Sequence, residues 1–96
     1  MVVTMLEAEV AEENAAELTE AFRAGGDSLP SVIRESFLLH EADSELWRVV
    51  TVWESSEALD EYRRSVETPG GVLIFRAVGA EPTLTVFEVG AHADHT

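Results

Sequence analysis

Residues 46–59 read Leu46-Trp47-Arg48-Val49-Val50-Thr51-Val52-Trp53-Glu54-Ser55-Ser56-Glu57-Ala58-Leu59, and within them the hydrophobic period changes. From Leu46 to Trp53 the side chains alternate as in a strand, with Trp47, Val49, Thr51 and Trp53 on one face and Leu46, Arg48, Val50 and Val52 on the other. A strand with one face in water alternates apolar with polar, whereas both of these faces are largely apolar, so each predicts a cover. Glu54 breaks the alternation. Ser55 is a good N-cap, and Glu57 puts negative charge in a first helical turn, where the macrodipole favours it. Strand passes directly into helix.

Working outward, Val2–Val10 alternates as a first strand with Val2, Thr4, Leu6, Ala8 and Val10 sharing a face. From Ala11 the period becomes helical, with Ala11, Ala15, Leu18 and Phe22 on the apolar stripe and glutamates mostly elsewhere. Gly25 and Gly26 are expected to end this helix through the left-handed conformation glycine tolerates. After a turn at Asp27–Pro30, a second strand is predicted over Ser31–Glu41, placing Val32, Arg34, Ser36, Leu38 and His40 opposite Ile33, Glu35, Phe37, Leu39 and Glu41. The acidic turn Glu41–Glu45 then makes a hairpin with the central strand.

Downstream, the second helix is expected over Ser55–Glu67, burying Ala58, Leu59, Tyr62 and Val66. Thr68-Pro69-Gly70-Gly71 stops it, and Val72–Val78 fits either a strand or a short buried helix. A turn at Gly79–Pro82 leads to a last strand over Thr83–Val89. The expectation is one domain over residues 1–90 and a frayed tail at 91–96. Strand, helix, strand, strand, helix, strand is the ferredoxin-like βαββαβ order, an α+β fold with a four-stranded antiparallel sheet. Two helices cover only one sheet face, so the apolar second face predicts a two-fold homodimer.

Composition narrows the function classes. The 96 residues carry a net charge of −13, with nineteen acidic side chains against six basic ones, all arginine. Such a surface repels phosphate backbones and anionic bilayers, so neither nucleic acid nor membrane is expected as a partner. Cysteine is absent, which removes disulfides and thiolate metal sites. His92, Asp94 and His95 lie in the expected tail, which supplies no fixed metal geometry. The N-terminal MVVTMLEAEV has no basic region or small-residue cleavage site, and no apolar run approaches the ~20 residues of a membrane span. A cytoplasmic protein is expected.

Val52-Trp53-Glu54-Ser55, followed by Glu57-Ala58-Leu59 and Tyr62, resembles the antibiotic biosynthesis monooxygenase family, and the resemblance spans Val2 to Val89. It implies a dimeric α+β barrel with a cavity between sheet and helices. Some members oxidise hydroquinone-like or anthrone-like aromatics with dioxygen and neither metal nor flavin, so the resemblance implies no cofactor and a small aromatic partner. On this reading Trp53 and Tyr62 are candidate catalytic donors and His40, whose reference pKa lies near neutrality, a candidate general base. Leu6, Leu18, Phe22, Arg34 and Phe75 are candidate substrate contacts. Each has a plainer reading: Trp53 as core, Tyr62 as a hydroxyl bonded within the protein, His40 as an exposed strand end, Arg34 as a cross-strand pair.

The departures are specific. Quinol-oxidising relatives often carry a histidine on the second helix and another about five residues on, where this chain has Tyr62 and Glu67. Haem-degrading relatives use asparagine, tryptophan and histidine where Leu6, Tyr62 and Val72 stand, which argues against haem degradation. The alternatives are a non-catalytic protein that binds an apolar metabolite, and an isomerase or cyclase on the same barrel.

Overall fold

The computed structural model describes residues 1–95. The alternating segments become β1 (Val2–Glu9), β2 (Ile33–His40), β3 (Leu46–Trp53) and β4 (Thr83–Glu88). They form one antiparallel sheet in the order β2-β3-β1-β4. A 3-10 turn at Glu12–Asn14 leads into α1 (Ala15–Gly26), and α2 (Ser56–Ser65) follows β3. This is the ferredoxin-like α+β arrangement. The undecided segment is helical: α3 spans Gly70–Arg76, with Pro69 at its N-cap. Phe75, fully buried, anchors it.

The junction at residues 53–56 follows the sequence closely. Ser55 has an extended backbone, and its Oγ accepts from the Ala58 N–H at 3.0 Å, so the first turn of α2 is capped. At its other end α2 stops at Ser65, because Val66 is extended at φ −125°, ψ 146°.

Two local expectations need correction. Gly25 and Gly26 form the end of α1, but neither is left-handed, and the C-cap Asp27 has a right-handed φ of −71°. Leu29-Pro30 keeps the helix from going further, since a residue preceding proline is pushed out of the helical region. In β2 the strict alternation fails, because the register shifts between Ile33, opposite Trp53, and Glu35, opposite Val52. Arg34 occupies this bulge, so Ile33 joins the face that carries Ser36.

All three helices lie on one face of the sheet, and two apolar clusters form beneath them. One gathers Leu6, Ala8, Val10, Leu18, Val49 and Phe75; the other gathers Val2, Trp53 and Leu59, with Val32, Ile33 and Tyr62 packed against it. The opposite face has no cover within the chain: Phe37, Leu39 and Phe87 are each about half exposed. Towards one end of that face Arg48 bridges Glu7 and Glu41, each at 3.2 Å. Hydrogen bonding, first to Glu41, raises the Arg48 pKa further. Residues 89–95 carry no helix or strand, and Thr96, the last residue of the expected tail, lies outside the described residues. Among the described residues no helix is long and apolar enough to cross a membrane.

Candidate functional site

Between the two apolar clusters the strands place hydroxyl side chains at one level. Thr4 pairs with Thr51 across β1 and β3, and Thr51 pairs with Ser36 across β3 and β2. On each strand an apolar residue of one cluster lies to one side and an apolar residue of the other cluster to the far side: Val2 and Leu6, Trp53 and Val49, Ile33 and Leu38. The hydroxyl row therefore divides the core. A cavity of about 660 Å³ opens over it, within the range of small-molecule sites.

Three hydroxyls and one indole N–H make only two hydrogen bonds among themselves, so protons remain to be donated. The Trp53 indole Nε1–H donates to Thr4 Oγ1 at 2.9 Å, and Ser36 Oγ lies 2.9 Å from Thr51 Oγ1. Thr4 thus accepts and keeps its own proton, and one hydrogen of the Ser36–Thr51 pair also remains to donate. The aromatic wall repeats the pattern. Tyr62 packs against Trp53 with ring centroids 5.1 Å apart and a 46° tilt, and its Oη accepts from the Gly70 N–H at 3.0 Å. Its own proton is left over as well. Floor and wall present hydroxyl donors to whatever occupies the cavity.

Gly71 sets how closely α3 approaches β1. A Cβ there would stand 2.6 Å from Leu6 Cδ1, so only glycine lets the first turn of α3 lie against that side chain undisturbed. At the rim, Arg76 and Glu81 form a fork, Nη2 to Oε1 at 2.8 Å and Nε to Oε2 at 3.1 Å, closing the turn that contains Gly79 at φ 77°. Hydrogen bonding to Arg76 holds Glu81 below its ordinary carboxylate value, and Arg76 is raised in turn. The other titratable side chains lining the cavity are Tyr62 and Arg63.

The residues singled out in the sequence fall into three groups. Leu6, Phe22, Trp53 and Tyr62 line the cavity, although the Trp53 N–H is already taken by Thr4. Leu18 and Phe75 are fully buried core under α1 and α3 and do not line it. Arg34 and His40 are not brought to it. The Arg34 bulge sends the guanidinium towards Met1 Sδ at 3.9 Å, on the exposed side. His40 stacks on Trp47 at 4.3 Å, with Nε2 2.6 Å from the Ser44 carbonyl, and lines a separate hollow. Since Trp47 precedes Trp53 by six strand positions, His40 lies about 20 Å from the aromatic wall. Thr4, Ser36 and Thr51 were missed by sequence reasoning; the available signal was one hydroxyl on the inner face of each of three strands. Among the described residues no three His, Asp or Glu side chains converge as a metal site.

A four-stranded antiparallel sheet with helices on one face and a ligand-sized cavity between them defines a ferredoxin-like α+β protein with a small-molecule pocket. The chain belongs to the antibiotic biosynthesis monooxygenase family, whose model matches residues 1–68. Among solved structures it is similar to a variant of SnoaB, a cofactor-independent oxygenase from Streptomyces nogalater, at 18% identity over 98% of this chain and 97% of that one, with a TM-score of 0.73. It is also similar to MhuD, a haem-degrader from Mycobacterium tuberculosis with two haems bound in its active site, at 27% identity over 98% of this chain and 100% of that one, TM-score 0.68. No functionally curated protein matches.

Proposed function

We propose that the protein is a homodimeric, cofactor-independent monooxygenase that oxidises a small aromatic or quinol-type molecule with dioxygen in this cavity. The observation that carries the reading is the set of hydroxyls with a proton left to donate, Thr4, the Ser36–Thr51 pair and Tyr62, around the Trp53 ring. Such a set suits a flat ligand whose oxygens become negative. Donors aimed at a developing oxyanion stabilise it and lower the acidity barrier of the ligand that forms it.

For an anthrone the stoichiometry is simple. The ring methylene loses a proton, the resulting anion passes an electron to dioxygen, and recombination gives a hydroperoxide on the carbon. Loss of water leaves a carbonyl, so one oxygen atom enters the product and the other leaves in water with the two methylene hydrogens. The protein contributes orientation, water exclusion and stabilisation of the anion. Glu81, held by Arg76, is a poor base, so the methylene proton passes to solvent and the ionised ligand is the species that occupies the cavity. Phe37, Leu39 and Phe87 on the open sheet face support a second copy as its cover, and the lack of cysteine suits a reducing, cytoplasmic setting.

The test is oxygen uptake by the purified protein with anthrones and naphthohydroquinones. Uptake should exceed the uncatalysed rate, follow ionisation of the substrate with pH, and fall in Tyr62→Phe; uptake no faster than in buffer defeats the proposal. Light scattering at micromolar concentration should give twice the chain mass, and a monomer would remove the dimer from the reading. Among the described residues the lining carries no histidine and no carboxylate other than Glu81, which Arg76 holds, and this shortage of general bases favours a second reading, a protein that binds such a molecule without converting it. Tryptophan quenching without oxygen uptake is its signature, and anaerobic conversion would instead point to an isomerase or cyclase.

A further inference from the structure

Among the described residues Arg34, Arg63 and Arg64 make no ion pair, and of these three Arg63 alone lines the cavity. In a chain with nineteen carboxylates, Arg23, Arg48 and Arg76 are all in ion pairs. Arg76, the other cation on the cavity wall, is neutralised by its fork with Glu81. Arg63 lines the cavity, yet among the described residues it has no carboxylate within ion-pair distance.

The sequence offers it two partners at helical spacing, Asp60 three residues before and Glu67 four residues after. The fold removes the second, because α2 stops at Ser65 and Val66 turns extended, so Glu67 never occupies the next turn; Asp60 stays on α2 but makes no ion pair with Arg63. Leu59, one turn before Arg63 on the same helix side, also lines the cavity, so the guanidinium prolongs the cavity wall outward. An uncompensated guanidinium beside an apolar pocket is a receptor for a planar anion, which it grips with two parallel N–H donors.

We infer that the molecule bound here carries a carboxylate, or an anion of the same shape, in addition to the oxygens that meet the hydroxyl row, and that Arg63 receives it at the cavity mouth. The inference rests on the aromatic-ligand reading and narrows it to aromatic acids. The charge of −13 repels such a ligand at long range, but within a Debye length of about 8 Å the local cation governs its final placement.

The test compares 1-hydroxy-2-naphthoate with its methyl ester, binding being read by tryptophan quenching and calorimetry on the full chain. Variants are Arg63→Gln, Arg63→Lys and, as a control on the same helix but off the cavity wall, Arg64→Gln. The acid should bind wild type about fivefold to tenfold more tightly than the ester, the range of an ionic hydrogen bond partly open to solvent. That ratio should fall to about one in Arg63→Gln, recover in part in Arg63→Lys and persist in Arg64→Gln. Equal affinities for acid and ester in wild type, or a preference that survives Arg63→Gln, would overturn the inference while leaving the aromatic pocket standing. Binding of neither compound would overturn both.

Discussion

Replacing Trp53 or Thr4 separates a structural tryptophan from a catalytic one. The Trp53 Nε1–H donates to Thr4 Oγ1 at 2.9 Å with both residues buried, 5% and 7% exposed. Thr4→Val keeps the shape of the side chain but leaves the indole N–H without an acceptor, an expected loss of about 1–3 kcal/mol. Trp53→Phe takes the donor from Thr4 and opens space beside Val2 and Leu59, for an expected loss of about 2–4 kcal/mol. In the double variant neither polar group is stranded, so the combined loss should fall short of the sum by about 1–2 kcal/mol. The assay is urea denaturation of all four proteins, with thermal unfolding as a cross-check at roughly 4–8 °C per kcal/mol for a domain of this size. Losses that add to within about 0.3 kcal/mol would refute the hydrogen bond as the element that fixes the tryptophan. Trp53 would then be free to offer its N–H to a ligand.

Three further outcomes follow from other parts of the fold. Ser55→Ala should destabilise the protein by about 1 kcal/mol in urea, because the Ala58 N–H loses its cap; an unchanged midpoint would show that β3 alone sets the start of α2. Because Arg76 lowers the Glu81 pKa, ionised Glu81 stabilises the fold above its unfolded pKa, and this contribution is lost as pH falls through the lower folded value. Carboxyl NMR titration should place Glu81 below its ordinary 4.5 and return it towards that value in Arg76→Gln; no response to the substitution would disprove the pairing. Gly71→Ala should change stability by less than about 1 kcal/mol, since the gain in helix propensity offsets the contact with Leu6 Cδ1, while ligand affinity falls as Leu6 is pushed into the cavity. A large loss of stability would mean that Leu6 has nowhere to move.

Much of the fold is legible because its signals are local. At Ser55 a period of two gives way to a helical period at a residue whose side chain caps the new helix, and the structure turns there. Val72–Val78 reads either way because its apolar run, Val72–Phe75, is too short to show a period; Pro69 at the N-cap and the burial of Phe75 settle it as helix. Gly25 and Gly26 do mark the end of α1, which stops at Gly26, but not through a left-handed conformation, since the C-cap Asp27 is right-handed. The Arg34 bulge leaves no mark in composition, yet it decides that Ile33, rather than Arg34, faces the cavity. The candidate site was less legible for a topological reason. Thr4, Ser36 and Thr51 become neighbours only when three strands pair in register, and each looks like an ordinary strand residue in its own segment. Tyr62 was visible from its place on the helical stripe, but that Gly70 supplies its donor depends on a helix whose existence the sequence left open.

The Tyr62–Gly70 bond also makes the backbone an informant about the cavity. A phenol that gives its proton to a ligand becomes a stronger acceptor, so the bond it receives from the Gly70 N–H should tighten when the cavity fills. That amide lies on the exposed start of α3, at the edge of the cavity. Its proton resonance and its exchange with solvent water should therefore distinguish ligands that engage the phenol from ligands that merely fill apolar space. Occupancy could be followed at a single glycine, without a chromophore, a label or turnover.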